Sequence, residues 1–290
     1  MRNLLGTAKQ PQWWKLIKLA LERWAETDGD QRAAALAYYL LLSALPMVIM
    51  LVNVGSLFVE REVATRAVVR LANRYTPLTA EQARAAGTAV RGMLAARGAI
   101  SLTAFVLLLV GALQYLGTLI RTTNRIWHSQ AYNWWRLPLL SLGLLGITAS
   151  AIVVGILLPG LATLAHPWLT TYLAFPNWAF ALGFKLIPWV VLFYGVIMIY
   201  RLAPTRATRF AEVWLGALVA TVVIWIAELL FLVYAVKVAQ FNLLYGTLGG
   251  IMAFLAWIYI SSCVGVFGIC LCVAQAEVRQ VNRQVELPTP

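Results

Sequence analysis

Charge is scarce in this chain. Of its 290 residues only 12% are Asp, Glu, Lys or Arg, about half of the ~25% usual for soluble proteins. A chain with so few charges cannot cover itself with polar side chains. Acidic residues number 11 and histidines 2, which leaves little material for a catalytic metal centre, because hydrolysis assisted by divalent ions needs clustered His, Asp and Glu. The three cysteines, Cys263, Cys270 and Cys272, fall inside one apolar run. They lack the Cys/His spacing of a zinc site and read as small residues for packing. No Walker motif, glycine-rich phosphate loop or nucleophile elbow is present, so ATP-driven transport by this chain alone is not expected. The first 30 residues lack the apolar core and small-residue cleavage site of a signal peptide.

What is abundant is apolar sequence, at 61% of the chain. Residues 33–58 read AAALAYYLLLSALPMVIMLVNVGSLF without one charged side chain. About 20 such residues cross the ~30 Å hydrocarbon core of a bilayer. Comparable runs recur at about 33–58, 99–120, 137–165, 178–200, 211–236 and 244–275. In lipid the backbone must satisfy its own hydrogen bonds, so runs of this length should be helices. The expectation is an all-α, polytopic bundle of six transmembrane helices forming one membrane domain over 1–290, with the bundle in 33–275. Ahead of it, Trp13, Leu16, Ile17, Ala20, Leu21 and Trp24 recur at helical spacing among Lys15, Lys18, Glu22 and Arg23, the pattern of an interfacial amphipathic helix within a segment 1–32. Glu26, Asp28 and Asp30 would end that helix and lead into the first span.

The net charge is +12. Nucleic-acid binding is one source of such a balance, but most of these charges flank the apolar runs, as the positive-inside rule predicts. Of the 23 Lys and Arg, 14 fall in residues 1–32, 121–136, 201–210 and the tail 276–290, and 8 fall in 59–98 and at Lys237. The richer side should be cytoplasmic, which puts both termini inside and no nucleic acid among the partners. The loop 59–98 should form two short helices over the outer surface, split at Thr76-Pro77, with Thr79 and Gln82 at capping-box spacing. Arg66, Arg70 and Arg74 would line one face of the first and contact anionic lipid headgroups. Trp134, Trp135, Trp168, Trp178 and Tyr172 suit the interfacial aromatic belts.

Within the spans two ionisable groups stand out. Lys185 and Glu228 each lie about eight residues from the outer end of their span, a depth of ~12 Å at 1.5 Å per residue. A lone charge there is costly, so the pair should share a polar cavity. Pro46 and Pro188 sit near mid-span in the first and fourth helices, where proline removes a backbone hydrogen bond and where paired helix breaks mark the central site of some transporters. Asn53, Gln114, Gln240 and Asn242 are further polar groups at or near membrane depth, with interhelical hydrogen bonding as their ordinary role.

The segment 33–50, together with Asn124-Arg125-Ile126-Trp127, Tyr200-Arg201-Leu202-Ala203-Pro204, Tyr245-Gly246-Thr247-Leu248-Gly249 and Trp257-Ile258-Tyr259-Ile260-Ser261, resembles the YihY/BrkB family of bacterial inner-membrane proteins through nearly the whole chain. One departure is that Gly268-Ile269-Cys270 stands where the family usually has Gly-Ala-Glu. The resemblance implies a six-span protein of the inner membrane and no particular reaction. Family members have been labelled virulence factors that resist killing by serum, and also a ribonuclease. The second label has no chemistry to rest on here, because His128 and His166 fall on opposite sides of the expected membrane and the acids form no cluster. The expected function is transport or export of a lipid or other amphiphilic anion, without a cofactor. The rival is a membrane scaffold that supports the envelope through partners. A homo-oligomer is left open.

Overall fold

The computed structural model describes residues 11–58, 84, 88, 92, 97–129, 135–150, 153–154, 177–240 and 246–286. Among them there is no strand. The main helices are α1 (Gln12–Glu26), α2 (Gly29–Phe58), α3 (Arg97–Ile126), α4 (Arg136–Ser150), α5 (Asn177–Leu202), α6 (Phe210–Gln240) and α7 (Gly246–Glu286). Four of these, α2, α3, α6 and α7, contain stretches long and apolar enough to cross a membrane. Residues 136–150 and 186–202 are shorter apolar helices.

The helices outrun the apolar runs that announce them. The first span was expected from residue 33 and α2 starts at Gly29. The second was expected to stop at 120, yet α3 continues through Arg121 and Arg125 to Ile126. The last was expected to stop at 275, and α7 continues to Glu286. Leaving hydrocarbon does not end a helix, since each added turn still closes its own backbone hydrogen bonds.

The corner between α1 and α2 shows what does end one. The Thr27 N–H and hydroxyl both donate to the Arg23 carbonyl, at 3.1 and 2.7 Å. Asp28 then takes the left-handed conformation with φ 52°, which costs an ordinary residue ~1–2 kcal/mol. Gly29 follows because the Trp24 indole lies where a Cβ would stand. The helix end expected at Glu26, Asp28 and Asp30 is therefore made by Thr27, Asp28 and Gly29.

The chain divides into two compact units: Met1–Arg32, Leu119–Val223 and Val264–Pro290 form the first, Ala33–Thr118 and Ile224–Cys263 the second. In the first unit α6 and α7 run antiparallel in close contact. A Cβ on Gly216 would fall on Cys272 Sγ and the Gly268 carbonyl; one on Gly268 would fall on the Tyr200 hydroxyl. Such small-residue crossings let helix backbones approach in lipid, where packing replaces the hydrophobic drive to associate. Gln275 Nε2 donates to the Ala211 carbonyl at 2.8 Å, and the Tyr200 hydroxyl donates to the Gly265 carbonyl at 2.7 Å. Cys270 and Cys272 are buried free thiols in this crossing. In the second unit α2 and α3 meet where Gly111 faces Ser43, whose Cβ lies 3.0 Å from the place a glycine Cβ would occupy.

Candidate functional site

The polar side chains form two assemblies, one in each unit. The assembly of the first unit starts at α1. The Arg23 guanidinium donates to Glu277 at 2.6 Å and to Glu26 at 3.0 Å, and its other terminal contact is Nε2 of His128. Arg23 is only 20% exposed, Glu277 35%. Charge-assisted bonds of this kind contribute ~1.5–3 kcal/mol each. His128 is placed by the way α3 ends. It takes a left-handed conformation with φ 48°. Its N–H reaches the Arg125 carbonyl, and the Ser129 N–H reaches that of Asn124, at 3.2 and 3.0 Å. These two bonds make a Schellman cap. The Arg23 contact therefore brings a guanidinium, which can only donate, against His128 Nε2.

Asn124, one turn before His128, joins α3 to the α5–α6 connection. Its Oδ1 accepts from the Thr205 N–H at 2.8 Å, the Thr205 hydroxyl at 3.0 Å and the Ser129 hydroxyl at 2.7 Å. Its Nδ2 donates to the Ile120 carbonyl at 3.0 Å. Beside it the Arg206 guanidinium lies 5.0 Å from the centroid of Trp127, a cation–π arrangement, and pairs with Glu212 at 3.3 Å. Glu212 also accepts the Arg209 N–H at 3.1 Å, a half capping box that starts α6. The segments joined here are the end of α1, the end of α3, the α5–α6 connection, the start of α6 and the end of α7.

The assembly of the second unit is smaller; buried polar atoms without a partner among the described residues occur in both units, Arg23 Nε, Thr122 Oγ1, Trp127 Nε1 and Gln275 Oε1 being those of the first. On α7 the Trp257 Nε1, Ser261 Oγ and Ser262 Oγ are buried with none. Elsewhere Ser43, Thr123, Ser141, Thr148 and Thr221 bond the carbonyl four residues back on their own helix, at 2.8–2.9 Å. Trp257 packs against Phe254 at 6.1 Å and against Phe231 of α6 at 5.6 Å. Glu228 precedes Phe231 by about one turn, and Ser261 follows Trp257 by about one turn. On antiparallel helices rising 1.5 Å per residue, Glu228 and Ser261 come level to within ~2 Å. Glu228 is half-buried and has no ion pair or hydrogen bond among the described residues.

Of the other residues singled out in the sequence, Pro46 is buried inside α2, while Pro188 lies exposed within α5 and Gln114 within α3. Asn53 and Lys185 belong to α2 and α5, but their side chains lie outside those described. The Lys185–Glu228 pairing is outside them too, as are Arg66, Arg70 and Arg74. The residues missed by sequence reasoning were visible in other guises. Arg23 was one positive charge among many, His128 was weighed only as a metal ligand, and Asn124 and Ser261 stood inside family motifs without assigned work. Among the described residues no three His, Cys, Asp or Glu gather as a metal site would require.

Long apolar helices, glycine-mediated crossings and polar side chains held within the bundle define a multi-pass helical membrane protein. Comparison with known proteins places it further: the model of the virulence factor BrkB family matches residues 20–289, and the chain belongs to that family. It is similar to UPF0761 membrane proteins of Alteromonas mediterranea (26% identity, 89% of this chain and 86% of the relative) and Vibrio parahaemolyticus (23%, 96% and 87%). Another is from Aggregatibacter aphrophilus (24%, 92% and 94%). No solved structure matches the chain.

Proposed function

We propose that the chain is a transporter or exporter of a lipid or other amphiphilic anion, in the bacterial inner membrane, with six spans and both termini in the cytoplasm. The observation that carries this reading is a set of polar groups on one apolar helix pair of the second unit that have no partner among the described residues: half-buried Glu228 and buried Trp257 Nε1, Ser261 Oγ and Ser262 Oγ. A buried polar atom without a partner costs ~1–3 kcal/mol, and a passing headgroup or its water would supply the missing partners. The aromatic rings beside them suit an acyl chain. Arg121, Arg125, Arg201 and Arg209 are exposed and make no ion pair among the described residues, so they favour an anion as cargo.

Reconstitution into vesicles with a fluorescent-tailed phosphatidylglycerol or single-chain anionic amphiphile tests the function. Transfer should exceed that of protein-free vesicles and fall several-fold for Glu228→Gln. Rates no higher than protein-free vesicles across both probes would remove the transport reading. Reporter fusions at residues 80, 130, 172, 205 and 240 should alternate outside, inside, outside, inside, outside.

The scaffold reading has one observation of its own. Trp13, Trp14, Ile17 and Leu21 of α1 are exposed, a surface for membrane or partner rather than a passage. It predicts that α1 substitutions, and not Glu228→Gln, abolish the cellular phenotype.

A further inference from the structure

Two neighbouring side chains of α1 reach different levels of α7. Arg23 bonds Glu277 at 2.6 Å, and the Trp24 ring packs on Phe267 with centroids 6.2 Å apart. Glu277 is the first charged residue of α7, and Phe267 precedes it by ten residues in the apolar part of that helix. At 1.5 Å per residue the two levels are ~15 Å apart. The Arg23 side of α1 therefore faces the charged end of α7, and the Trp24 side faces its apolar length. At ~100° per residue, Trp13 and Ile17 fall within ~20° of Trp24 on the surface of α1, Leu21 within ~60° and Trp14 within ~80°. All four are exposed. Ala20, ~40° from Trp24 toward the Arg23 side, is fully buried. Lys15, Lys18, Glu22 and Glu26 lie ~120–180° from Trp24. The helix thus has a packed face, a charged face and an apolar face that nothing among the described residues covers.

We propose that the apolar face of α1 is seated in the bilayer itself, at the boundary of headgroups and acyl chains, with Trp13, Ile17 and Leu21 turned toward hydrocarbon. The orientation names the occupant. The stripe continues the side on which Trp24 meets the apolar part of α7, and lipid is what surrounds that part of a spanning helix. The chain path agrees: α1 gives way at Thr27 and Asp28 to α2, whose apolar span starts at Gly29, so α1 stays close to the membrane surface. Tryptophan suits this depth because its ring is apolar and its N–H polar. Lys15 and Lys18 on the far side of the helix complete the pattern of a helix lying in the interface plane, with cations toward headgroups and water. Periodicity permits such a helix; the contacts of Arg23 and Trp24 say which face is turned inward. The seat is independent of what the bundle carries and holds for a transporter and a scaffold alike.

The test uses the full chain in vesicles of phosphatidylethanolamine and phosphatidylglycerol, with a nitroxide spin label on one added cysteine. Ile17→Cys lies on the stripe; Glu22→Cys lies ~140° from it around the helix and is also exposed. The parent chain carried through the same labelling sets the background from Cys263, since Cys270 and Cys272 are buried. Oxygen, which partitions into hydrocarbon, should relax the Ile17→Cys label several-fold more than a water-soluble nickel chelate does. The order should reverse at Glu22→Cys. Both substitutions replace exposed side chains, so the fold should survive them, and Leu21→Cys repeats the measurement at a second point of the stripe. The proposal is overturned if the stripe labels are as open to nickel as the label at Glu22→Cys, which would place the stripe in water. It is equally overturned if they are shielded from both reagents, which would place the stripe against protein.

Discussion

Residues 252–263 and 264–281 of α7 belong to one continuous helix yet live in different environments. In the second stretch every residue from Ile269 to Ala276 is buried, on all faces of the helix. Small side chains make this possible: Gly268, Cys270, Cys272, Ala274 and Ala276 let neighbouring backbones close in, and Gly216 accepts that approach from α6. In the first stretch Met252, Phe254, Tyr259 and Ile260 are exposed, and the buried polar atoms of Trp257, Ser261 and Ser262 have no partner. The later stretch bonds other helices through Gln275 Nε2 and Glu277, with Gln275 Oε1 left without a partner among the described residues; the earlier one has three such atoms. One helix thus carries an enclosed stretch and an exposed one.

The contrast breaks most sharply at the glycines. Gly268→Val should put a branched side chain into the Tyr200 hydroxyl and Ala220. Overpacking a close backbone contact costs ~3 kcal/mol or more, so the expected outcome is little folded protein, read by detergent-solubilised yield and thermal unfolding. Gly265→Ala, three residues earlier on the same helix with nothing within 4 Å of the added Cβ, should fold normally. Equal yields of the two variants would mean the crossing is looser than described.

The polar base comes next. Asn124→Ala removes three hydrogen bonds to Thr205 and Ser129 and a fourth to the Ile120 carbonyl of α3 itself. Arg23→Gln removes two carboxylate pairs and the His128 contact. Each should lower stability by ~2–3 kcal/mol, seen as a fall in unfolding temperature. Because the two side chains share no partner, their effects should add in the double variant. A shortfall of more than ~0.5 kcal/mol from additivity would show that the end of α3 transmits strain between them.

Much of the fold was legible because hydrocarbon demands long apolar runs: the runs at 33–58, 99–120 and 211–236 each lie on a helix, as does the run at 244–275 from Gly246 onward. The boundaries were not, because Arg121 and Arg125 leave the lipid without leaving the helix. The base was illegible for another reason. Arg23 and Glu277 are 254 residues apart, Asn124 and Thr205 81, and no periodicity encodes pairing at such distance. The departure at Gly268-Ile269-Cys270 has a structural reading: Cys270 is 0% exposed on the enclosed part of α7, and a carboxylate there would need a buried partner. The family motif around Trp257 and Ser261 could be read as a motif but not as a site, since unpartnered atoms exist only once neighbours are placed.

The smallest expected effect on stability is the most discriminating. Ser261→Ala deletes a buried hydroxyl with no partner among the described residues. At Ser43 or Thr221 the hydroxyl satisfies a helix carbonyl, and its loss should cost ~0.5–1.5 kcal/mol. At Ser261 deletion removes an unmet polar group, so stability should stay within ~0.5 kcal/mol of the parent or rise slightly. If the open polar atoms serve passage, the same variant should slow amphiphile transfer in vesicles although the protein is as stable as before, and Thr221→Ala should do the reverse. A Ser261→Ala protein that loses stability as Thr221→Ala does would mean its hydroxyl is bonded in the membrane, and the division of α7 into a holding and a binding stretch would fail at the residue that defines it.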